Sequence, residues 1–162
     1  PDLALSSDFI VGFPGESDED FAATLRLITE IGFAQAYSFK YSARPGTPAA
    51  GAAQQVDEAV KAERLAMLQA LLGEQQLAFN HSTVGRVLPV LLERTGKRAG
   101  QLAGRSPFMQ AVIADAPAEL LGRVVPVEIL SAHPNSLAGR VVADVREDSG
   151  ERPPAPQSRA CA

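Results

Sequence analysis

Hydrophobic and polar positions follow one rhythm up to about residue 81 and another beyond it. Asp8-Phe9-Ile10-Val11-Gly12-Phe13 is a short apolar run closed by Pro14-Gly15, which predicts a buried strand ending in a turn. Ser17-Asp18-Glu19-Asp20 predicts a helix start, a capping box with Asp20 where Glu or Gln is usual. Its acidic first turn suits the positive end of a helix dipole. Phe21, Leu25, Ile28 and Ile31 recur at helical spacing, and Gly32 closes the element. From Ala36 to Tyr41 the period is two, with Tyr37, Phe39 and Tyr41 on one face and Ser38 and Lys40 on the other. That aromatic stripe reads as core packing in preference to a stacking platform. Strand, helix and strand predict a βαβ unit with parallel strands and a right-handed crossover. Two strands do not make a stable parallel sheet alone, so the rest of the sheet is expected outside this chain.

After the rigid loop Arg44-Pro45-Gly46-Thr47-Pro48, a long helix is predicted from about Glu58 to Asn80, with Leu65, Leu68, Leu72 and Phe79 along one stripe. Polar elsewhere, it is expected to pack on the outside of a barrel and lead to the next unit. From Val84 the period becomes two. Five strands are predicted, at Val84–Glu93, Gln101–Gly104, Phe108–Ala114, Val124–Leu130 and Leu137–Val145, separated by turns such as Gly96-Lys97-Arg98 and His133-Pro134-Asn135. Strands this short and close, with no helix between them, predict a small closed or nearly closed barrel. The fold class is therefore α/β followed by all-β, with boundaries at 1–81, 82–146 and a tail from 147 to 162. That Pro-rich, charged tail lacks apolar periodicity and is expected to be disordered.

Charge sharpens the division. Residues 1–81 carry 5 basic and 11 acidic side chains, a net −6, whereas 82–146 carry 8 and 5, a net +3. An acidic unit joined to a basic one suggests that the second faces a polyanion. No apolar run reaches the ~20 residues needed to span a bilayer, and a basic-then-apolar leader is missing from the first residues. The single cysteine, Cys161, has no internal partner for a disulfide, which suits a reducing cytoplasm, and by itself holds neither zinc nor an iron–sulfur cluster. Opening at Pro1 without Met, close to a strand, the chain reads as cut from a longer protein.

Candidate chemistry gathers at predicted strand ends. In parallel α/β folds ligands collect at the C-terminal ends of strands, where Gly12-Phe13-Pro14-Gly15 lies. Gly12 and Gly15 leave the backbone bare to a flat group such as a nucleobase. Glu16 either accepts from an amine or hydroxyl or caps the helix, and spacing alone favours an ordinary strand–helix turn over a cofactor contact. Arg44, beside a rigid Pro-Gly turn, suits a carboxylate or phosphate, or is a solvated loop arginine. Arg86, Arg94, Lys97, Arg98, Arg105, Arg123 and Arg140 fall near strand starts and turns of the predicted barrel, as phosphate contacts do. Phe108 is the only aromatic from Val84 to Val145, so shape and phosphate recognition are expected over base stacking. His81 and His133 have no partners at ligand spacing, and no metal site is expected.

These residues carry a family resemblance covering nearly all of 5–145. Residues 6–21, Ser-Ser-Asp-Phe-Ile-Val-Gly-Phe-Pro-Gly-Glu-Ser-Asp-Glu-Asp-Phe, resemble the late barrel strand of radical-SAM methylthiotransferases, and 39–50 resemble the strand that follows it. The helix with Val60-Lys61-Ala62-Glu63-Arg64-Leu65 and Asn80 resembles their linker into a TRAM domain, an OB-like RNA-binding barrel. Gly100–Ser106, Val124-Val125-Pro126-Val127 and Pro134–Gly139 resemble that domain's strands. The resemblance implies the C-terminal part of a TIM-like radical-SAM barrel, a linker helix and a five-stranded TRAM barrel. It implies S-adenosylmethionine (SAM), two 4Fe-4S clusters whose cysteines lie outside this chain, and a fragment inactive alone. It places Ile10, Gly12 and the nearby Phe13, Pro14 and Gly15 against the SAM adenosine. The family pattern Gly-x-Ile-x-Gly-x-x-Glu is met imperfectly, with Asp8 for the first Gly and Glu16 one position late. The implied partner is a tRNA anticodon stem-loop bearing isopentenyl-adenosine, methylthiolated at C2 by a cytoplasmic, monomeric enzyme. The branch acting on threonylcarbamoyl-adenosine shares Arg44-Pro45-Gly46-Thr47 and stays open, as does a stand-alone RNA-binding module.

Overall fold

The structure is a computed structural model that describes residues 3–142; the tail from Glu147, with Cys161, lies outside the described residues. β1 (Ser6–Val11), α1 (Asp18–Ile31) and β2 (Gln35–Lys40) form the expected βαβ unit, the strands parallel with Ile10 opposite Phe39 and Asp8 opposite Tyr37. Ser17 starts α1 through a reciprocal capping box: its side chain accepts from the Asp20 N–H, and the Asp20 carboxylate accepts from the Ser17 N–H. Gly32, in the left-handed region, ends the helix as its N–H bonds to the Ile28 carbonyl.

Alternation sends Phe9, Val11 and Ala36 toward the helices, where they join Phe21, Ile28, Leu68 and Leu72 in one core. The opposite face is bare. Ile10, Tyr37 and Phe39 are 59%, 59% and 54% exposed there. Among the described residues this corrects the expectation that the aromatic stripe is core. The core lies on the helix side, and α1 and the long helix that follows β2 cover only that side. Tyr41 lies beyond the end of β2 and instead meets Phe13 edge to face, with centroids 5.3 Å apart.

α2 (Glu58–Ser82) begins at the expected residue and links the two units. Its buried residues are Arg64, Leu68, Leu72 and Asn80, so the stripe that is apolar in the middle ends in a polar side chain at each extremity. Steps of four residues drift about 40° around a 3.6-residue helix. The stripe therefore winds and meets different neighbours along its length. Gln75 serves the middle, donating to the Ile28 carbonyl and accepting the Phe33 N–H.

β3 (Val87–Thr95), β4 (Gln101–Arg105), β5 (Ala111–Asp115), β6 (Val124–His133) and β7 (Ser136–Val141) close into a barrel in the order β3-β4-β5-β7-β6. All neighbours are antiparallel except β5 and β7. Leu88, Val90, Leu92, Leu102, Val112, Val125, Val127, Ile129 and Leu137 fill the interior. Two strands start later than expected. Val84–Arg86 still belongs to the turn that ends α2, with Gly85 at φ +82°, and residues 106–110 form a tight turn before β5. Gly104 is required by close approach, since a Cβ there would lie 2.0 Å from the Leu91 oxygen.

The joint between α2 and the barrel is polar and buried. Asn80 Nδ2 donates to the His133 carbonyl at 3.0 Å, and Asn80 Oδ1 accepts from Gln110 Nε2 at 2.9 Å. Gln76 donates to the Pro134 carbonyl, and Phe79 meets Phe108 edge to face at 5.5 Å. Asn80→Ala strands the Gln110 amide and the His133 carbonyl and is expected to destabilise the protein by about 3 kcal/mol in urea unfolding. The further loss from Gln110→Ala in that background should be smaller than Gln110→Ala alone, because the two side chains share one bond. Gly104→Ala is expected to lower stability by about 3 kcal/mol by overpacking, read as a lower thermal midpoint.

The Ser17 cap generates a pH-dependent expectation. Hydrogen bonds from the Ser17 backbone and then its hydroxyl hold the Asp20 carboxyl below its ordinary 3.8. A depressed carboxyl stabilises the fold above its unfolded value, and the contribution fades as pH falls through the lowered value. Ser17→Ala should lower stability by about 1 kcal/mol near neutrality, and the difference should shrink in acid-unfolding curves as pH falls below the ordinary carboxyl value.

Candidate functional site

Two groups of residues stand out: a loop at the C-terminal end of β1 and cationic side chains around the barrel. The loop turns through Gly12 (φ +73°) and Gly15 (φ +87°), both left-handed conformations that glycine adopts without strain. Glu16 N–H bonds back to the Phe13 carbonyl, and Gly15 N–H donates to the Gln54 carbonyl at 2.8 Å. Glu16 Oε2 accepts the Gly12 N–H at 3.0 Å, while Oε1 receives Arg64 at 2.5 Å. Burial works against the Arg64 charge, but bonds to Asp18 and Glu16 outweigh it and raise its pKa above the ordinary value.

Gly12 is not bare. A Cβ built on it would lie 2.3 Å from Lys61 Cγ, so the lysine stem already covers that face. This corrects the expectation that a flat group approaches the Gly12 backbone there. Ile10 and Phe13 are the exposed apolar surfaces at this strand end, Pro14 is half-buried, and Gly15 is exposed. Below them Lys40 and Lys61 pair with Glu58, and the Lys40 bond first, then that from Lys61, holds the Glu58 carboxyl below its ordinary range. Arg44 is exposed in a turn where its carbonyl accepts from the Thr47 N–H and hydroxyl.

The barrel cations divide into three groups. Arg94 is the next-to-last residue of β3, Lys97 and Arg98 lie in the following turn, and the Arg123 carbonyl bonds to Leu92 N–H, so these four exposed residues fall at one end of the barrel. Arg86 and Arg105 attend the 106–110 turn: Arg86 lies 5.3 Å over the Phe108 ring, and Arg105 donates to the Met109 carbonyl at 2.9 Å. Arg140 is paired across the β6–β7 ladder with Glu128 at 2.7 Å. His81 and His133 are both exposed, and the His133 ring lies 3.4 Å from the Ser131 hydroxyl. Among the described residues no His, Cys, Asp or Glu group is arranged to hold a metal ion, and no helix is long and apolar enough to cross a membrane.

Periodicity missed Arg64 and Gln110 as contributors to these arrangements. Arg64, Leu68, Leu72, Gln76 and Asn80 do recur every four residues, a signal that the buried stripe extends past its leucines.

Comparison with known proteins follows the same division. Residues 81–142 match the TRAM domain family. Over 146 residues, 90% of the chain, the sequence is 57% identical to the tRNA-2-methylthio-N(6)-dimethylallyladenosine synthase of Maricaulis maris. Over 137 residues, 85% of the chain, it is 61% identical to the protein of the same name from Sphingopyxis alaskensis. The chain spans 32% and 31% of the lengths of these curated relatives. Over nearly all its residues the chain is similar to a segment about one third the length of these synthases, and its barrel matches the TRAM domain family.

Proposed function

We propose that the chain serves as the part of a radical-SAM tRNA methylthiotransferase that completes the catalytic barrel and carries the RNA-binding module. Residues 1–81 would supply the last strands of a TIM-like barrel, 82–146 the TRAM barrel, and 147–162 a tail. The observation that carries the first half is the bare apolar face of β1 and β2. A sheet with Ile10, Tyr37 and Phe39 open on one side wants further strands to enclose it. The relatives' names point to dimethylallyladenosine in tRNA as the substrate, with methylthiolation at its position 2 as the reaction of the whole enzyme.

Ile10 and Phe13 present the right surface for the adenosine of SAM: apolar, exposed and at a C-terminal strand end. Gly12, Pro14 and Gly15 would shape the loop beside it. SAM bound there would supply, on reduction by a 4Fe-4S cluster, the radical that starts the reaction. The described residues do not fit either 4Fe-4S cluster, for which thiolates are needed, so both clusters are assigned to other parts of the parent and the chain alone should be inactive.

The barrel contributes cations. Arg94, Lys97, Arg98 and Arg123 form the strongest candidate phosphate surface, Arg86 and Arg105 a second, and Arg44 lies apart on the strand-end side. Arg140 is partly neutralised by Glu128. Binding of a labelled tRNA anticodon stem-loop, followed by anisotropy, should weaken linearly in log–log form as KCl rises. Reversing Arg94, Lys97 and Arg98 together to Glu should flatten that slope by about 3. Arg140→Glu should change it by less. An unchanged slope in the triple variant would move the RNA surface elsewhere.

A further inference from the structure

We propose that Arg64 is a positioning residue for SAM, acting through Glu16 to hold the loop that follows β1 in its ligand-ready shape. The inference rests on the reading of this strand end as a SAM site. Arg64 lies on α2, distant in sequence from the loop, yet it is only 6% exposed. A buried guanidinium is strongly unfavourable unless paired and hydrogen-bonded. Here NH1 reaches the Glu16 carboxylate at 2.5 Å and the Glu16 carbonyl at 3.2 Å, and NH2 reaches Asp18 at 2.7 Å. Its guanidinium also lies 5.5 Å over the Phe21 ring. All these contacts fall on residues 16–21 and none on its own helix.

Glu16 passes the constraint on. One carboxylate oxygen takes Arg64 and the other takes the Gly12 N–H. One oxygen is thus engaged with α2 and the other with the loop, so Glu16 ties the loop to the helix. The helix start needs no help from it, because Ser17 and Asp20 already form the capping box. Lys61, one turn before Arg64 on α2, lays its stem over Gly12. Two side chains of one helix thus hold the left-handed residue between Ile10 and Phe13, the two apolar surfaces offered to the nucleoside. Charge-assisted bonds of this fork geometry specify orientation as well as proximity, which lysine at the same position reproduces only in part.

The test uses two readouts besides turnover. On this chain, amide hydrogen exchange should show the Gly12 N–H losing protection about tenfold or more in Arg64→Ala, with barrel amides such as Val112 unchanged. In the full-length parent carrying its clusters, equilibrium dialysis should show the Kd for SAM rising about tenfold in Arg64→Ala, with anticodon stem-loop affinity unchanged. Arg64→Lys should recover part of the loss. Glu16→Gln keeps the shape and one acceptor while removing the charge and the second acceptor, so it should also raise the Kd for SAM. It also decides the matter if Arg64→Ala does not fold. A Gly12 amide that exchanges freely while SAM affinity stays within about twofold of wild type would overturn the proposal and leave the clamp purely structural. Equal losses of SAM and RNA affinity would overturn it as well, pointing to global damage. A wild-type parent that binds no SAM would instead sink the assignment of the strand end itself, and this inference with it.

Discussion

The arrangement of both units depends on one helix whose buried stripe changes chemistry along its length. In its middle, α2 closes the apolar core of the βαβ unit with Leu68 and Leu72. Toward its start, Arg64 exchanges hydrogen bonds with the loop after β1, and at its end Asn80 does the same with the barrel. Apolar contact is tolerant of small shifts, whereas each of these polar contacts is satisfied at only one geometry. A helix of 25 residues, about 37 Å long, therefore sets the relation between a strand-end loop and a β-barrel more tightly than leucines alone would.

The two units solve the problem of exposed β-structure differently. The barrel closes on itself, so every strand has two neighbours and an apolar interior, with Gly104 and Gly139 letting strands approach where side chains would collide. The βαβ unit has only two strands and covers only one of their faces. Its open face is an apolar surface beside a loop of defined shape, whereas the barrel encloses its own core.

Much of this was legible in the residues. The capping box at Ser17, the Gly32 stop, the start of α2 at Glu58 and the presence of five short strands follow from local pattern, because each depends on residues near one another in sequence. The late starts of β3 and β5 were not legible. Val84 and Phe108 have strand-like side chains, but turn hydrogen bonds and the contact of Phe108 with Phe79 claim those segments first. The aromatic stripe was misread for a related reason. Alternation says that Tyr37 and Phe39 share a face, and it does not say which face the helices cover.

The sequence by itself determined the elements, their order, the division near residue 81 and the candidate residues at strand ends and turns, since period, caps and turn chemistry are local. Only the tertiary structure decided what those residues do. It covered Gly12 with Lys61, committed Glu16 to Arg64, paired Arg140 with Glu128 and gathered Arg94, Lys97, Arg98 and Arg123 at one end of the barrel. Each of these joins side chains from different elements, and such partners are chosen by how helices and strands pack, which no local pattern encodes.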